Sequence, residues 1–340
     1  MNNMMKQYIL DQKDVLPSLI ENRTCYEVLN NFKQVQKIVI AASGSSKNVA
    51  MVVQALLSKD IEIVVDTPFQ LIHNSCQIQR CDCLIAISQT GKSTGTMNCA
   101  KLANENHIPT IAITADIHSP LALVCSYTFD IHCLDETIGP KTKGYTATLL
   151  VLFFVIAKLI NKNIDSYIKE FLLDIEQIEN IIKQTTHYVE NHQEWSQANC
   201  VSVIGCGVHY GTACEGNLKL LETMQIPAMC YELEEFMHGP HRTVHENSYL
   251  VFIHTHNEGY DMMSRFIDFA RQQKAHIIVI DDDQNSSSNI IIPQLPLIQS
   301  VISATVVLQV MSSLIPEYNG INPSDPVLSQ FATTVGTRVK

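Results

Sequence analysis

The sequence predicts an α/β protein built as two similar domains, each a parallel sheet wrapped by helices. Three observations predict it. Short β-branched runs alternate with longer helical stretches, the pattern that βαβ units and parallel sheets leave in a sequence. The pattern restarts past mid-chain at a nearly constant offset: Ile40 matches Ile204 (164 residues apart), Ile85 matches Val251 (166) and Ile111 matches Ile278 (167). Both copies also place a small-residue turn after the first strand, Ser43-Gly44-Ser45 and Gly205-Cys206-Gly207. Such repetition marks duplicated structural units, and 340 residues suffice for two domains with real cores.

The elements follow in order. Residues 1–34 read as a helical lead-in to a first domain over 35–184. Lys37 to Ala42 (KIVIAA) is apolar and β-branched, hence a buried strand, and the Ser43-Gly44-Ser45-Ser46 turn opens a helical segment through Leu57. Ile61 to Val65, Cys83 to Ile87 and Thr110 to Thr114 continue the sheet. Ala147 through about Lys183 is helical, amphipathic after Asp165, and carries the chain to a boundary near residues 185–198. The second domain, 199–325, restarts with strands at Cys200 to Ile204, Tyr249 to His254 and His276 to Asp281, and a tail follows over 326–340.

Composition excludes several function classes. At 46% hydrophobic and 17% charged the chain can bury enough surface to fold, so disorder is not expected. The net charge of -11 leaves no basic stripe to release counterions from phosphates, so no nucleic acid is expected as partner. Any anionic ligand must then be gripped by local donors rather than by the overall field. The most apolar run, Ala147 to Ile160, has 12 apolar residues of 14, short of the ~20 that span a bilayer, so a buried helix and no membrane partner are expected. The opening MNNMMKQYILDQKD turns polar too early for an export signal. With 11 scattered cysteines, an odd count, reduced thiols and a cytoplasmic location are the expectation. Cys81-Asp82-Cys83 resembles a metal fragment but has no matching second pair. No metal and no cofactor are expected.

In doubly wound sheets, ligands bind outside the carboxyl ends of the strands. Two loops of the first copy meet that rule: Ser43, Ser45 and Ser46 after the first strand, and Ser88-Gln89-Thr90-Gly91-Lys92-Ser93 before a helix starting near Thr94. Hydroxyls and backbone N–H groups at a helix N-terminus suit a phosphate dianion, and a glycine lets the backbone approach it. Helix capping by Ser and Thr is the plainer alternative. The equivalent loop of the second copy, His254-Thr255-His256-Asn257-Glu258-Gly259, has an acid in place of Lys92 and one hydroxyl. That asymmetry favours a single phosphate site, in the first domain. No G-x-x-x-x-G-K-[ST] occurs, so ATP chemistry is not supported.

The second copy supplies different chemistry. Glu215, Lys219 and Glu222 stand at i, i+4 and i+7 on one helix face. A solvated salt bridge is the ordinary reading of such a triplet, but this helix follows directly from the Gly205-Cys206-Gly207 turn, so its first turns lie at a strand-end crevice. Sixteen residues after Glu222 comes His238, within Glu234-Glu235-Phe236-Met237-His238-Gly239-Pro240. A glutamate and a histidine at one crevice are the parts needed for proton transfer at carbon and at a ring oxygen. His238, His241 and His245 lack the H-E-x-x-H arrangement, and Pro240 breaks any helix that would align them on zinc. Trp195, Tyr145 and Tyr231 read as packing residues.

With these residues in view, the chain resembles the double sugar-isomerase (SIS) proteins, including the isomerase half of glucosamine-6-phosphate synthase and the fructosamine-phosphate deglycases. The resemblance covers residues from about 35 to 326. It rests on Ser88-Gln89-Thr90-Gly91-Lys92-Ser93, similar to the family's S-x-S-G-x-T loop, on Glu136-Thr137-Ile138-Gly139-Pro140-Lys141-Thr142-Lys143, on Glu215-Gly216-x-x-Lys219-x-x-Glu222, and on His238-Gly239-Pro240. It implies two tandem SIS domains of flavodoxin-like, three-layer α/β/α form. It implies that Ser43, Ser45, Ser88, Gln89, Thr90 and Ser93 hold a sugar phosphate, with Glu136 and Lys141 in the loop bordering the sugar. By the same resemblance Glu222 is the base moving a proton between C1 and C2. Lys219 steadies the enediolate, and His238 assists ring opening from a neighbouring subunit. The expected assembly is therefore at least a homodimer with shared active sites.

Three departures bear on the activity. The chain opens Met1-Asn2 without a glutaminase cysteine, so a complete glutamine-dependent synthase is not expected. Lys92 takes a place often acidic in the synthases. The synthases carry a Schiff-base lysine five residues beyond the proline matched here by Pro326, where this chain has Phe331; Arg338 and Lys340 are the only later cations. An Amadori sugar phosphate already bears an amine on C1 and needs no such lysine. A fructosamine-6-phosphate-type deglycase is accordingly the preferred expectation, ahead of an aldose–ketose isomerase or a glucosamine-6-phosphate deaminase. A non-catalytic sugar-phosphate sensor ranks lower, since residues 1–35 show no helix-turn-helix and Glu222 and His238 are both present.

Overall fold

A computed structural model describes residues 3–32, 35–286 and 288–338. Two five-stranded sheets, all of whose pairings are parallel, organise it. The first contains β1 (Lys37–Ala41), β2 (Glu62–Asp66), β3 (Cys83–Ile87), β4 (Thr110–Thr114) and β5 (Tyr127–Asp130), in the order β2-β1-β3-β4-β5. The second contains β6 (Val201–Gly205), β7 (Ala228–Glu232), β8 (Tyr249–His254), β9 (His276–Asp281) and β10 (Ile290–Ile291), in the order β10-β9-β8-β6-β7. Read from the other edge, the second order repeats the first. It is the flavodoxin-like order, with its switch points between β1 and β3 and between β6 and β8. The two-domain α/β expectation is met in both sheets.

The duplication extends to the backbone. Gly44 (φ 57°, ψ -136°) and Gly207 (φ 56°, ψ -125°) take the same positive-φ conformation immediately before the helices Ser45–Leu57 and Val208–Met224. Sheet register corrects one offset, however. Ile40 lies beside Ile85 and Ile85 beside Ile111 in the first sheet, whereas in the second Val251 lies beside Ile278 and Val203. The counterpart of Ile40 is thus Val203, one residue before Ile204. Strands buried on both faces carry no apolar–polar alternation, so their sequence does not mark the register.

The central strands β3, β4 and β8 are buried along their whole length. One face of the first sheet packs Val39, Leu84, Ala86 and Ala112 against Met97, Cys99, Ala100 and Ala103 of the helix Thr94–Glu105. In the second, Ile204 and Phe252 pack with Phe236, Met263 and Phe266. The helix Lys143–Leu159 is buried at every residue but Lys158, in keeping with its apolar sequence. The helical stretch expected over 147–183 is three helices, Lys143–Leu159, Asp165–Glu176 and Ile178–Asn191.

By compactness, the first sheet groups with Asp14–Gly139, Lys143–Ile164 and the segment from Pro326 onward. The second groups with Asp165–Asp325, Pro140–Thr142 and the N-terminal segment ending at Lys13. The helices over 165–191 therefore belong with the second sheet, although the sequence reading places most of them before the boundary. The reason is a cap. Ser300, ahead of the helix Val301–Leu314, has a left-handed backbone and makes no side-chain cap. The fully buried Asp174 caps it instead, its Oδ2 accepting from Ile302 N (2.9 Å) and its Oδ1 from Ser303 N (3.1 Å) and Ser303 Oγ (2.5 Å). Val301–Asn319 is also the one stretch among the described residues long and apolar enough to cross a membrane, but 83% of its apolar window is buried inside the protein. A helix apolar all round is what the interior of an α/β unit requires.

Candidate active site

In the unit of the first sheet, the loops after β1 and β3 emerge at the carboxyl ends of adjacent strands, at the switch point. The β3 loop is a tight turn, with Gly91 N–H donating to Ser88 O (2.9 Å) and Gly91 at φ +62°. Ser93 caps the helix Thr94–Glu105, its Oγ accepting from Thr96 N (3.5 Å) and Thr96 Oγ1 (2.9 Å). Thr90 Oγ1 accepts from Lys92 N (3.4 Å). A hydroxyl that accepts keeps its own proton to donate, so capping and anion binding are compatible at Ser93 and Thr90. Ser88 is buried, Ser45, Gln89 and Ser93 are half-buried, and Ser43 and Thr90 are exposed.

Gln89 ties this loop to the next. Its Nε2 donates to Glu136 Oε2 (3.3 Å), which also accepts from Gly144 N (3.1 Å). Glu136 is itself buried. The approach depends on the missing side chain at 144, where a Cβ would fall 2.2 Å from Gln89 Nε2 and 2.8 Å from Glu136 Oε2. Lys141 is half-buried and lies in Pro140–Thr142, which groups with the second sheet. A second lysine of the same motif, Lys143, was passed over by sequence reasoning. It is buried at the first turn of its helix, and its charge lowers the Cys133 thiol pKa against Glu136, which raises it. Burial, the larger effect, pushes that thiol up to about 11. The chain's tail reaches the same loop: Thr94 N–H donates to Thr337 O (3.2 Å), and Ser93 forms an antiparallel bridge with Arg338. Phe331 is 60% exposed, and Lys340 lies outside the described residues.

In the unit of the second sheet, the helix Val208–Met224 carries Glu215, Lys219 and Glu222. Lys219 and Glu215 are each 1% exposed in their side chains, with Lys219 Nζ 3.6 Å from Glu215 Oε1. Lys219 Nζ also donates to Glu222 Oε2 at 2.5 Å, and Glu222 keeps 32% of its side chain exposed. The triplet is therefore not a solvated face. A desolvated ammonium holds two carboxylates, one buried and one reaching out to solvent. A fixed cation in a dry setting acts on developing negative charge far more strongly than in water.

His238 terminates the short helix Leu233–Met237, whose N-cap is Glu232, accepting from Glu234 N (2.7 Å) and Glu235 N (3.3 Å). It is exposed, with its backbone N–H bonded to Glu235 O (3.1 Å). His241 and His245 turn inward to their own loops, their Nδ1 atoms accepting from Gly239 N (3.4 Å) and Asn247 N (3.1 Å). Among the described residues no group of three or more His, Cys, Asp or Glu is placed to hold a metal.

The loop equivalent to residues 88–93 is filled by its own histidines and by two aspartates from the end of β9. His254 Nδ1 lies 3.2 Å from Asp281 Oδ2, His256 Nδ1 lies 2.5 Å from Asp282 Oδ1, and Tyr260 stacks on both imidazoles. Burial works against the Asp281 carboxylate, but bonds from His254, Asp283 N, Ser288 and Ser286 outweigh it and hold its pKa below the usual range. Two histidines and two aspartates stand where the first sheet has hydroxyls, the asymmetry anticipated from the sequence.

The SIS domain model matches residues 31–158 and 195–289, more than half of the chain and one match for each sheet. The chain belongs to the SIS family. It is 27% identical to glutamine–fructose-6-phosphate aminotransferase (isomerizing) of Thermotoga maritima over 253 residues, 70% of this chain and 42% of that protein. The protein of the same name from Thermococcus kodakarensis is 25% identical over 336 residues, 95% of this chain and 54% of that one. This SIS chain thus spans about half the length of the curated relatives it matches. In fold it resembles a Clostridium difficile protein described as a phosphosugar isomerase, with a TM-score of 0.87, 23% identity, and 98% and 99% of the two chains covered. It also resembles the C-terminal domain of the Francisella tularensis aminotransferase, with a TM-score of 0.78, 21% identity, and 96% and 99% covered.

Proposed function

We propose that this SIS protein is a sugar-phosphate enzyme that moves a proton between C1 and C2, and that its substrate is a 6-phosphorylated ketosamine. The observation that carries the reading is the Lys219–Glu222 contact: a part-exposed carboxylate held at 2.5 Å by a buried ammonium. The names of its relatives, isomerizing aminotransferases acting on fructose 6-phosphate, support the class of chemistry.

In the proposed reaction Ser43, Ser45, Ser88, Gln89, Thr90 and Ser93 bind the phosphate, and Glu136 and Lys141 border the sugar. Glu222 takes a proton from C1, the electron pair forms the C1–C2 double bond, and Lys219 offsets the charge gathering on the C2 oxygen. Return of the proton to C2 makes the C1–N bond an imine. Water adds to it, and an amine and glucose 6-phosphate leave. The exposed Phe331, where the synthases carry their Schiff-base lysine, favours a substrate that brings its own nitrogen. His238 assists ring opening, supplied by a neighbouring subunit of at least a homodimer in the cytoplasm.

The test is a coupled assay for glucose 6-phosphate release from ε-fructoselysine 6-phosphate, other Amadori phosphates and glucosamine 6-phosphate. Release from an Amadori phosphate, lost in Glu222→Gln, supports the deglycase. Conversion of glucosamine 6-phosphate alone makes the protein a deaminase, and interconversion of unsubstituted sugar phosphates makes it an isomerase. Mixing inactive Glu222→Gln with inactive His238→Ala protein regenerates activity only where the two residues serve one site from different subunits.

A further inference from the structure

We propose that Cys214 and Cys230 form a reversible, intramolecular redox site that staples the helix Val208–Met224 to β7. Their sulfurs are 3.0 Å apart, and both residues are half-buried rather than sealed in the core. A disulfide requires the sulfurs to close by only about 1 Å. Alternation along β7 puts Cys230 on the face opposite Tyr231, which packs on Phe236. The hydrogen bond between the two sulfurs lowers the Cys230 pKa against the opposing effect of burial. Elsewhere burial drives thiols the other way, Cys99 and Cys125 to about 12. The thiolate is the form that reacts with oxidants.

The step balances with a peroxide as oxidant. The Cys230 thiolate attacks one peroxide oxygen and the O–O bond breaks; one oxygen, with a proton from solvent, leaves as water and the other stays as a sulfenic acid. The Cys214 sulfur attacks that sulfenic sulfur, the S–O bond breaks, and a second water departs carrying the Cys214 proton. Two thiols are oxidised and one peroxide is reduced. A dithiol reverses the reaction by thiol–disulfide exchange.

The position gives the bond a consequence. Cys214 immediately precedes Glu215 on the helix that carries Lys219 and Glu222, and β7 leads through Glu232 into the helix ending at His238. A covalent link there joins the two segments that hold the proposed proton-transfer groups. The link itself does not depend on the proposed function; its effect on turnover does.

The full-length protein is treated with graded hydrogen peroxide, alkylated, and mapped by peptide mass spectrometry, with exposed Cys25 as internal standard. The expected result is a Cys214–Cys230 cross-linked peptide pair, lighter by about 2 Da than the two thiols. It forms below the dose that oxidises half of Cys25, is reversed by dithiothreitol, and is absent in Cys230→Ser. Full alkylation of both residues at that dose, or oxidation of either without the link, overturns the proposal. In the activity assay the cross-linked protein is expected to lose turnover at least tenfold and regain it on reduction. Unchanged turnover in fully cross-linked enzyme overturns the regulatory consequence while the link stands.

Discussion

Two buried groups should make the stability of the second unit depend on pH in opposite directions. Burial pushes the Asp174 carboxyl from 3.8 up to about 6, against the bonds it accepts from Ser303 and Ile302. Burial lowers His209 from 6.5 to about 4, its Nε2 lying 2.8 Å from Gln299 O. Between these values the folded state holds a proton on Asp174 that the unfolded chain has lost, so its contribution is complete below pH 3.8 and disappears as pH rises through 6. His209 is neutral when folded and charged when unfolded, so its contribution is present above pH 6.5 and disappears as pH falls through 4. Each amounts to roughly 2–3 kcal/mol between pH 4 and 7, and in the wild type they nearly cancel. Asp174→Asn removes one side of the balance. The variant should lose about 2–3 kcal/mol relative to wild type as pH is lowered from 7 to 4, and His209→Gln should show the reverse trend. Trp195, the single tryptophan, is fully buried in the same unit, so urea unfolding followed by its fluorescence reads the change where it occurs. A wild-type-minus-variant difference that stays flat across this range would refute the assigned protonation states.

Three further substitutions have expected outcomes, and the stability of the two in Trp195's unit is read by the same fluorescence signal. Lys219→Met removes the ammonium beside a carboxylate that is 1% exposed and should cost about 3–5 kcal/mol, of which Glu215→Gln in the same chain should restore at least about 1 kcal/mol. Gly144→Ala drives a methyl to 2.2 Å from Gln89 Nε2; it should cost about 1–3 kcal/mol and raise the KM for the sugar phosphate more than it lowers kcat. The stability part is followed by thermal unfolding by circular dichroism, because Gly144 lies outside Trp195's unit. Glu232→Ala removes the cap of the helix before His238; a loss of about 1 kcal/mol is expected, with faster proteolysis in the segment 233–243.

What the sequence discloses depends on where each element sits. β3, β4, β8 and β9 were legible to the residue because central parallel strands are continuous apolar, β-branched runs. β5 and β7 end their sheets, are largely half-exposed and mix polar with apolar residues, and β10 is two residues long, so none presents a strand pattern. The loop at residues 88–93 was legible as a candidate site because its hydroxyls are contiguous in the chain. The state of Lys219 was not, since the spacing i, i+4, i+7 is the same on a wet face as on a buried one. What decides it is the packing of this helix against Val301–Leu314, where a Cβ on Gly216 would meet Leu308 Cδ1 at 2.4 Å, a contact 92 residues distant in sequence. The same non-local rule separates the two copies of the fold. The acids that fill the second strand-end loop, Asp281 and Asp282, come from the next strand, 26 or 27 residues beyond their histidines. A duplicated sheet thus keeps its backbone, down to the φ of Gly44 and Gly207, while side chains arriving from other strands give the two strand-end crevices different chemistry.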